Sequence, residues 1–248
     1  MAPTAPPPLP SDVALFLDVD GTLVELAPTP DEARAAPQVP ALLERLRQRL
    51  GGAVALVSGR SIATLDRMLH PAVLPAVGVH GLEWRTAHGQ THRRANAAGA
   101  LAAARDQLHV FVTAHDGLLL EDKGLTVALH YRARPDLGTE ARSVAERVAL
   151  DSGGRLELLE GKCMLELKPP GTDKGGGIRQ LLRDPPFAGR RPVFVGDDVT
   201  DEAGFGAVNA LGGISVVVDL DRASAATYRL ADVTAVLRWL AGVEQRPT

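Results

Sequence analysis

Cysteine is almost absent from this 248-residue chain. Cys163 stands alone, which excludes an intramolecular disulfide and points to a reducing compartment. Aromatic residues make up only 4%, leaving little material for stacking on single-stranded nucleic acid. The formal net charge is −3, and the basic residues are scattered rather than run together, so a nucleic-acid surface is not expected. No apolar run is long enough to span a membrane. The Pro/Ala-rich start, Met1 to Pro10, has neither a basic segment nor an apolar stretch. Residues 1–11 therefore read as a disordered tail rather than a signal peptide. Nothing repeats at a fixed period. Together these absences predict a cytoplasmic protein with no nucleic-acid or membrane partner.

What is present is ordinary globular material, 45% hydrophobic and 23% charged, enough for one large core or two modest ones. The apolar run Leu15-Phe16-Leu17 stops at Asp18-Val19-Asp20-Gly21-Thr22-Leu23, which reads as a buried strand ending in a polar loop. Residues two apart on a strand point the same way. Asp18 and Asp20 thus form a pair of carboxylates at the strand's C-terminal end, the rim where ligands sit in an open α/β sheet. Two close carboxylates repel, which calls for a cation between them or a shared proton. A set of oxygen ligands favours magnesium. Alone, an Asp-x-Asp pair can equally well solvate a turn.

The rest of the chain supplies a setting for that pair. Pro28 to Pro40 reads as an irregular loop. Leu42, Leu43, Leu46 and Leu50 recur at helical spacing, and Ala53 to Val57 follows as a second buried strand, completing a βαβ unit. Ser58 ends that strand on the same rim as Asp18, and a helix is expected over Ile62 to Leu69. Ala76 to Glu83 reads as a third short strand with a polar turn. The character then changes. Helices over Ala97–Val112 and Thr139–Leu150 alternate with strand pairs, Leu118–Glu121 with Leu125–Tyr131 and Leu156–Leu158 with Met164–Leu167, which suggests a small, mainly antiparallel α+β layer. A segment of this length is no loop. The predicted organisation is an α/β, Rossmann-like parallel-sheet core made of residues 12–90 and 169–248, with an inserted α+β domain over 91–168.

The returning core carries two more polar clusters. Asp173-Lys174-Gly175-Gly176-Gly177 opens a helix, and a lysine there is unfavourable against the helix dipole unless an anion is bound. With three glycines whose amides point outward, it makes a phosphate clamp, although the residue order is not that of a Walker loop. Arg191 to Gly196 is a buried strand ending at Asp197-Asp198-Val199-Thr200-Asp201-Glu202. Clustered acids there are costly unless they meet a cation or hydrogen-bond donors, or cap the following helix. Ser58 lacks the glycine elbow of a serine nucleophile and is better suited to donating a hydrogen bond to a phosphate oxygen.

These four stretches resemble the four signatures of the haloacid-dehalogenase-like phosphohydrolases. The strings Gly78-Val79-His80-Gly81-Leu82-Glu83, Glu121-Asp122-Lys123-Gly124, Ala128-Leu129-His130-Tyr131-Arg132 and Gly161 to Pro169 resemble the trehalose-phosphatase branch. The likeness covers nearly the whole chain after Ser11. It implies a hydrolase core with a substrate-selecting cap, and Asp18 as a nucleophile that passes through an aspartyl-phosphate. Asp20 would be the general acid/base, and Ser58 and Lys174 would be phosphate clamps. It further implies magnesium held by Asp18, the backbone carbonyl of Asp20 and Asp197, with Asp198 and Asp201 acting through water or holding the loop. In the cap, Glu121, Lys123 and Glu166 would bind sugar hydroxyls, and His80, Glu83 and Arg132 would reach the sugar or phosphate. Cys163 stands where an apolar residue is expected and reads as packing.

The reaction so implied is hydrolysis of trehalose 6-phosphate to trehalose and phosphate, with a separate trehalose-phosphate synthase as pathway partner. Sister phosphatases of sucrose phosphate or glycosyl-phosphoglycerate share the core signatures, and only the cap strings separate them. A non-catalytic sugar-phosphate-binding module would require losses among Asp18, Asp20, Lys174 or Asp197, and none is lost. A phosphomutase would keep the phosphoryl group on Asp18 away from water.

Overall fold

The unbroken apolar run Val13–Leu17 forms a strand, β1, in which every residue is buried, as expected of a strand covered on both faces. In this computed structural model, which describes residues 4–94, 97–219 and 221–242, the chain divides into two units, Met1–Arg93 with Asp173–Thr248 and Arg94–Thr172. Among the described residues no helix is long and apolar enough to cross a membrane.

The first unit continues through α1 (Gln38–Arg49), β2 (Val54–Val57), α2 (Ile62–Met68), β3 (Ala76–Gly78), β4 (Glu83–Arg85) and β5 (Thr91–Arg93). The second unit holds α3 (Ala98–Thr113), β6 (Leu119–Asp122), β7 (Val127–His130), α4 (Gly138–Asp151), β8 (Glu157–Gly161) and β9 (Met164–Lys168). The chain returns to the first unit with α5 (Lys174–Leu181), β10 (Arg191–Gly196), α6 (Glu202–Ala210), β11 (Ile214–Val218), β12 (Tyr228–Leu230) and α7 (Val233–Leu240).

The first unit is an eight-stranded sheet in the order β12-β11-β10-β1-β2-β3-β4-β5. It is parallel from β12 to β3, and β4 and β5 are antiparallel at the edge. Alternation along β1 feeds two apolar cores. Val13, Leu15 and Leu17 join one with α1, α2 and α7 residues such as Leu43, Leu65 and Val236. Ala14 and Phe16 join the other with Ile178 of α5 and Phe205 of α6. The α/β, Rossmann-like core expected from the βαβ reading is thus the observed architecture.

The second unit is a four-stranded antiparallel sheet, β6-β7-β9-β8. Val127, Leu129, Leu165 and Leu167 pack with Leu101 and Leu108 of α3 and Ala145 and Val148 of α4. Phe111 of α3 packs at the margin of this core.

Several details differ from the sequence reading. The run Thr4–Ser11, expected to be a disordered tail, is tied to the core. Arg229 N–H donates to Thr4 O at 3.2 Å, Trp239 Nε1 to Pro7 O at 2.8 Å and Arg49 to Leu9 O at 3.3 Å. A proline-rich segment has few donors of its own, but its carbonyls remain free to accept from outside. Met1–Pro3, in the same expected tail, lie outside the described residues. The inserted unit begins at Arg94 rather than residue 91 and ends at Thr172 rather than 168, because Thr91–Arg93 adds β5 to the edge of the core sheet. Ala76 to Glu83 is not one strand: β3 and β4 are separated by a turn in which Val79, His80 and Gly81 all have positive φ, 47°, 53° and 91°. Neither β5 nor β12, three residues each, has a readable alternation.

The three glycines of α5 also need a different account. Gly176 N–H donates to Asp173 Oδ1 at 2.6 Å and Gly177 N–H to Asp173 O at 3.2 Å, so neither amide is presented to a ligand. A Cβ at Gly175 would lie 2.3 Å from Ala203 O, and one at Gly177 would lie 2.3 Å from Val77 Cγ1. These glycines let α5 press against α6 and the sheet. A Cβ at Gly176 would find ordinary room, 3.4 Å from Asp173 Oδ1. Gly177→Ala is expected to destabilise the protein by about 1–3 kcal/mol through overpacking. Gly176→Ala should be neutral or stabilising by up to about 1 kcal/mol. Urea denaturation of the two variants checks both.

Candidate active site

Three neighbouring strands, β2, β1 and β10, deliver the polar residues to one rim. Leu17 pairs with both Leu56 and Val195, so Asp18, Ser58 and Asp197 leave the sheet at nearly the same level. Here the strand order reverses around β1, the switch point at which open α/β sheets bind ligands. Asp18 N–H donates to Val195 O at 2.9 Å, which fixes the start of the loop. Gly21 then turns with φ 77°, and a Cβ there would lie 2.2 Å from Asp197 Oδ2. Only glycine allows both the turn and the close approach of Asp197.

Lys174, the first residue of α5, reaches into this rim. Its Nζ donates to Asp18 Oδ1 at 2.8 Å and to Asp201 Oδ1 at 2.7 Å, and all three side chains are buried. Asp201 Oδ2 accepts the N–H groups of Asp197 at 3.0 Å and Asp198 at 2.9 Å. Asp201 thereby ties down the start of the loop after β10. Asp198 caps the short helical turn after β10, accepting Val199 N–H at 2.7 Å in a reciprocal capping box with Asp201.

One ammonium thus faces three carboxyl groups. Burial pushes the Asp18 carboxyl well above the usual carboxylate range; Lys174 opposes this, and Asp201 and Asp197 add to it. Burial alone would lower the Lys174 ammonium, but Asp18 and Asp201 outweigh it and raise it. Each of Asp18, Asp197 and Asp201 offers an oxygen within 4.8 Å of the others. An all-oxygen donor set fits a hard divalent cation.

The sequence profile described as trehalose-phosphatase matches residues 16–234. The chain is 42% identical over 240 residues to the trehalose-6-phosphate phosphatase of Escherichia coli K12, covering 96% of this chain and 88% of that one. It is 43% identical over 203 residues to a probable trehalose-phosphate phosphatase of Sinorhizobium fredii, covering 82% and 76%. The chain belongs to the trehalose-phosphatase family. Its fold is that of the C-terminal domain of the Candida albicans trehalose-6-phosphate phosphatase, with a TM-score of 0.83 at 22% identity over 94% of this chain and 92% of that one. Membership makes it one of a family of phosphatases.

Within this trehalose-phosphatase fold the remaining predicted residues fall into distinct places. The Asp20 carboxylate is turned to Arg60, receiving Nε at 2.6 Å and Nη2 at 2.7 Å. Ser58 Oγ accepts Arg60 N–H at 3.1 Å. His80 lies against the same loop: a Cβ at Gly59 would be 2.6 Å from its Nε2. Glu83 is buried, with Oε1 accepting Ile62 N–H at 2.6 Å and Oε2 accepting Arg93 Nε at 3.1 Å. It thus holds the start of α2.

In the second unit, Glu121, Ala128 and Glu166 stand in register across β6, β7 and β9, so the two acids share one face with a small residue between them. Lys123 Nζ donates to Glu166 Oε2 at 2.7 Å, and Glu121 Oε2 pairs with His130 Nε2 at 2.8 Å. Burial would raise the Glu121 carboxyl, but the His130 hydrogen bond and the Lys123 charge hold it below its ordinary value. Arg132 reaches Lys162 O at 3.3 Å. Sequence reasoning gave no role to Arg60 or to the capping Asp173. Arg60 was signalled only by its place two residues beyond Ser58, at the end of β2.

Asp201→Ala removes one of the two carboxylates that Lys174 bonds and leaves two backbone N–H groups without their acceptor, and should cost roughly 3–5 kcal/mol. Asp198→Ala removes only a cap and should cost about 1 kcal/mol. Equilibrium unfolding in urea measures both.

Proposed function

We propose that the protein is a magnesium-dependent phosphatase that hydrolyses trehalose 6-phosphate to trehalose and inorganic phosphate. The observation that carries this reading is the buried Lys174, joined to Asp18 and Asp201 beside Asp197 on one strand rim. Asp18, Asp197 and the backbone carbonyl of Asp20 would hold the magnesium, whose charge when bound offsets that of the phosphoryl group. The substrate class follows from the family and from the names of its relatives.

In the proposed reaction an Asp18 oxygen attacks phosphorus. The new O–P bond forms as the bond to the sugar oxygen breaks, giving an aspartyl-phosphate. Ser58 and Lys174 steady the phosphoryl oxygens. Asp20 gives a proton to the leaving sugar oxygen, then takes one from the water that attacks phosphorus. Phosphate leaves and Asp18 is restored. Recognition of the disaccharide falls to the polar face of the second unit, where Glu121, Lys123 and Glu166 meet sugar hydroxyls; Arg132 and His80 contribute to holding the substrate. Such an enzyme is cytoplasmic and is supplied by a separate synthase.

Phosphate release from a panel of sugar phosphates, with magnesium and with chelator, tests the reading. Trehalose 6-phosphate should be preferred over glucose 6-phosphate and sucrose 6-phosphate, and chelation should stop its turnover. Preference for sucrose 6-phosphate would reassign the substrate. Asp18→Asn should abolish turnover while calorimetry still detects binding of the sugar phosphate. Glu121→Ala should lower kcat/KM for trehalose 6-phosphate about tenfold or more, the scale of lost polar substrate contacts, and leave a small aryl phosphate nearly untouched.

A further inference from the structure

The structure assigns Arg60 a positioning role: it sets the direction of both Asp20 and Ser58. This rests on the reading of Asp20 as the acid/base given above. The Arg60 side chain grips the Asp20 carboxylate with two atoms of its fork, Nε to Oδ2 at 2.6 Å and Nη2 to Oδ1 at 2.7 Å. Its remaining arm, Nη1, donates to Pro30 O at 3.0 Å, so the fork is itself held by the loop before α1. Two near-parallel hydrogen bonds require the guanidinium and carboxylate to be coplanar, which fixes the carboxylate's torsion as well as its place. A lysine there would supply charge without that plane.

The backbone of the same residue acts on Ser58. Arg60 N–H donates to Ser58 Oγ at 3.1 Å, occupying a lone pair and leaving the hydroxyl proton to donate elsewhere. Arg60 O accepts Val79 N–H at 3.0 Å. Val79 makes that contact in the left-handed region, φ 47°, a costly conformation for a β-branched residue that persists where its surroundings dictate it. The Arg60–Asp20 pair is only partly buried, with side-chain exposures of 12% and 28%, and partly screened ion pairs contribute little to stability. Its consequence should therefore appear in turnover rather than in folding.

The test is a double-mutant cycle in the full chain with magnesium and trehalose 6-phosphate, comparing Arg60→Ala, Asp20→Asn and the two together. Arg60→Ala should lower kcat roughly a hundredfold, the scale of a misplaced acid/base, with KM changed less than about threefold. In the Asp20→Asn background the same change should cost less than about threefold, because the carboxylate it positions is gone. Arg60→Lys, which keeps the charge and most of the stem, should fold normally and still lose most of the turnover. Full activity in Arg60→Lys, an undiminished penalty in the Asp20→Asn background, or a loss confined to KM would each overturn the assignment. A wild-type protein that releases no phosphate would instead overturn the phosphatase reading itself.

Discussion

Lys174 is the interaction on which the site depends. Asp18 follows β1, Asp197 and Asp201 follow β10, and all three are buried. Packing them together in a low dielectric is unfavourable unless the charges are compensated and the lone pairs are used. Lys174 compensates two of them directly, reaching residues 156 and 27 positions away. The first of those links crosses the whole inserted unit. Residues on either side of the insertion are therefore bound to one rim by a buried ion-pair network.

That crowding also requires missing side chains. Asp197 can close over the first loop because Gly21 has no Cβ, and Asp201 can fold back under β10 because a Cβ at Gly196 would lie 2.4 Å from its Cγ. His80 can lie over the Ser58 loop because residue 59 is glycine. Gly177 lets α5, and with it Lys174, approach β3. The polar groups are named by their chemistry, but it is the glycines between them that set the distances.

Much of this was legible in the chain because it is local. A strand that ends in Asp-x-Asp or Gly-Asp-Asp carries its own evidence of direction and rim, so Asp18, Asp20, Ser58 and Asp197 could be placed together once the sheet was read as parallel. The helical stripe of α1 and the change of character after β4 were equally local. What escaped depends on pairing between distant segments. Arg60 reads as one more loop arginine until its fork is seen on Asp20, 40 residues away. Glu83, which the resemblance would have reach the sugar or phosphate, has its carboxylate on Ile62 N–H. The Pro-rich start reads as disorder because its hydrogen bonds are made by donors from Arg229 and Trp239 at the other end of the chain. Likewise the α5 glycines suggest an anion cradle by composition, yet Asp173 already occupies two of the amides.

The polar face of the second unit carries a consequence for selectivity. Glu166 is fully buried and already paired with Lys123, itself 9% exposed, and Glu121 is paired with His130. A ligand group that displaces either pairing must replace the hydrogen bond it breaks, so a partial match leaves a buried charge worse off than no ligand at all. A phosphate ester without hydroxyls can offer nothing to these pairs. A disaccharide, with donors and acceptors spread over two rings, can exchange one set of bonds for another. Under the proposed function, the second unit therefore discriminates by the cost of disturbing these pairs, while the first handles a phosphoryl group that differs little from one substrate to the next.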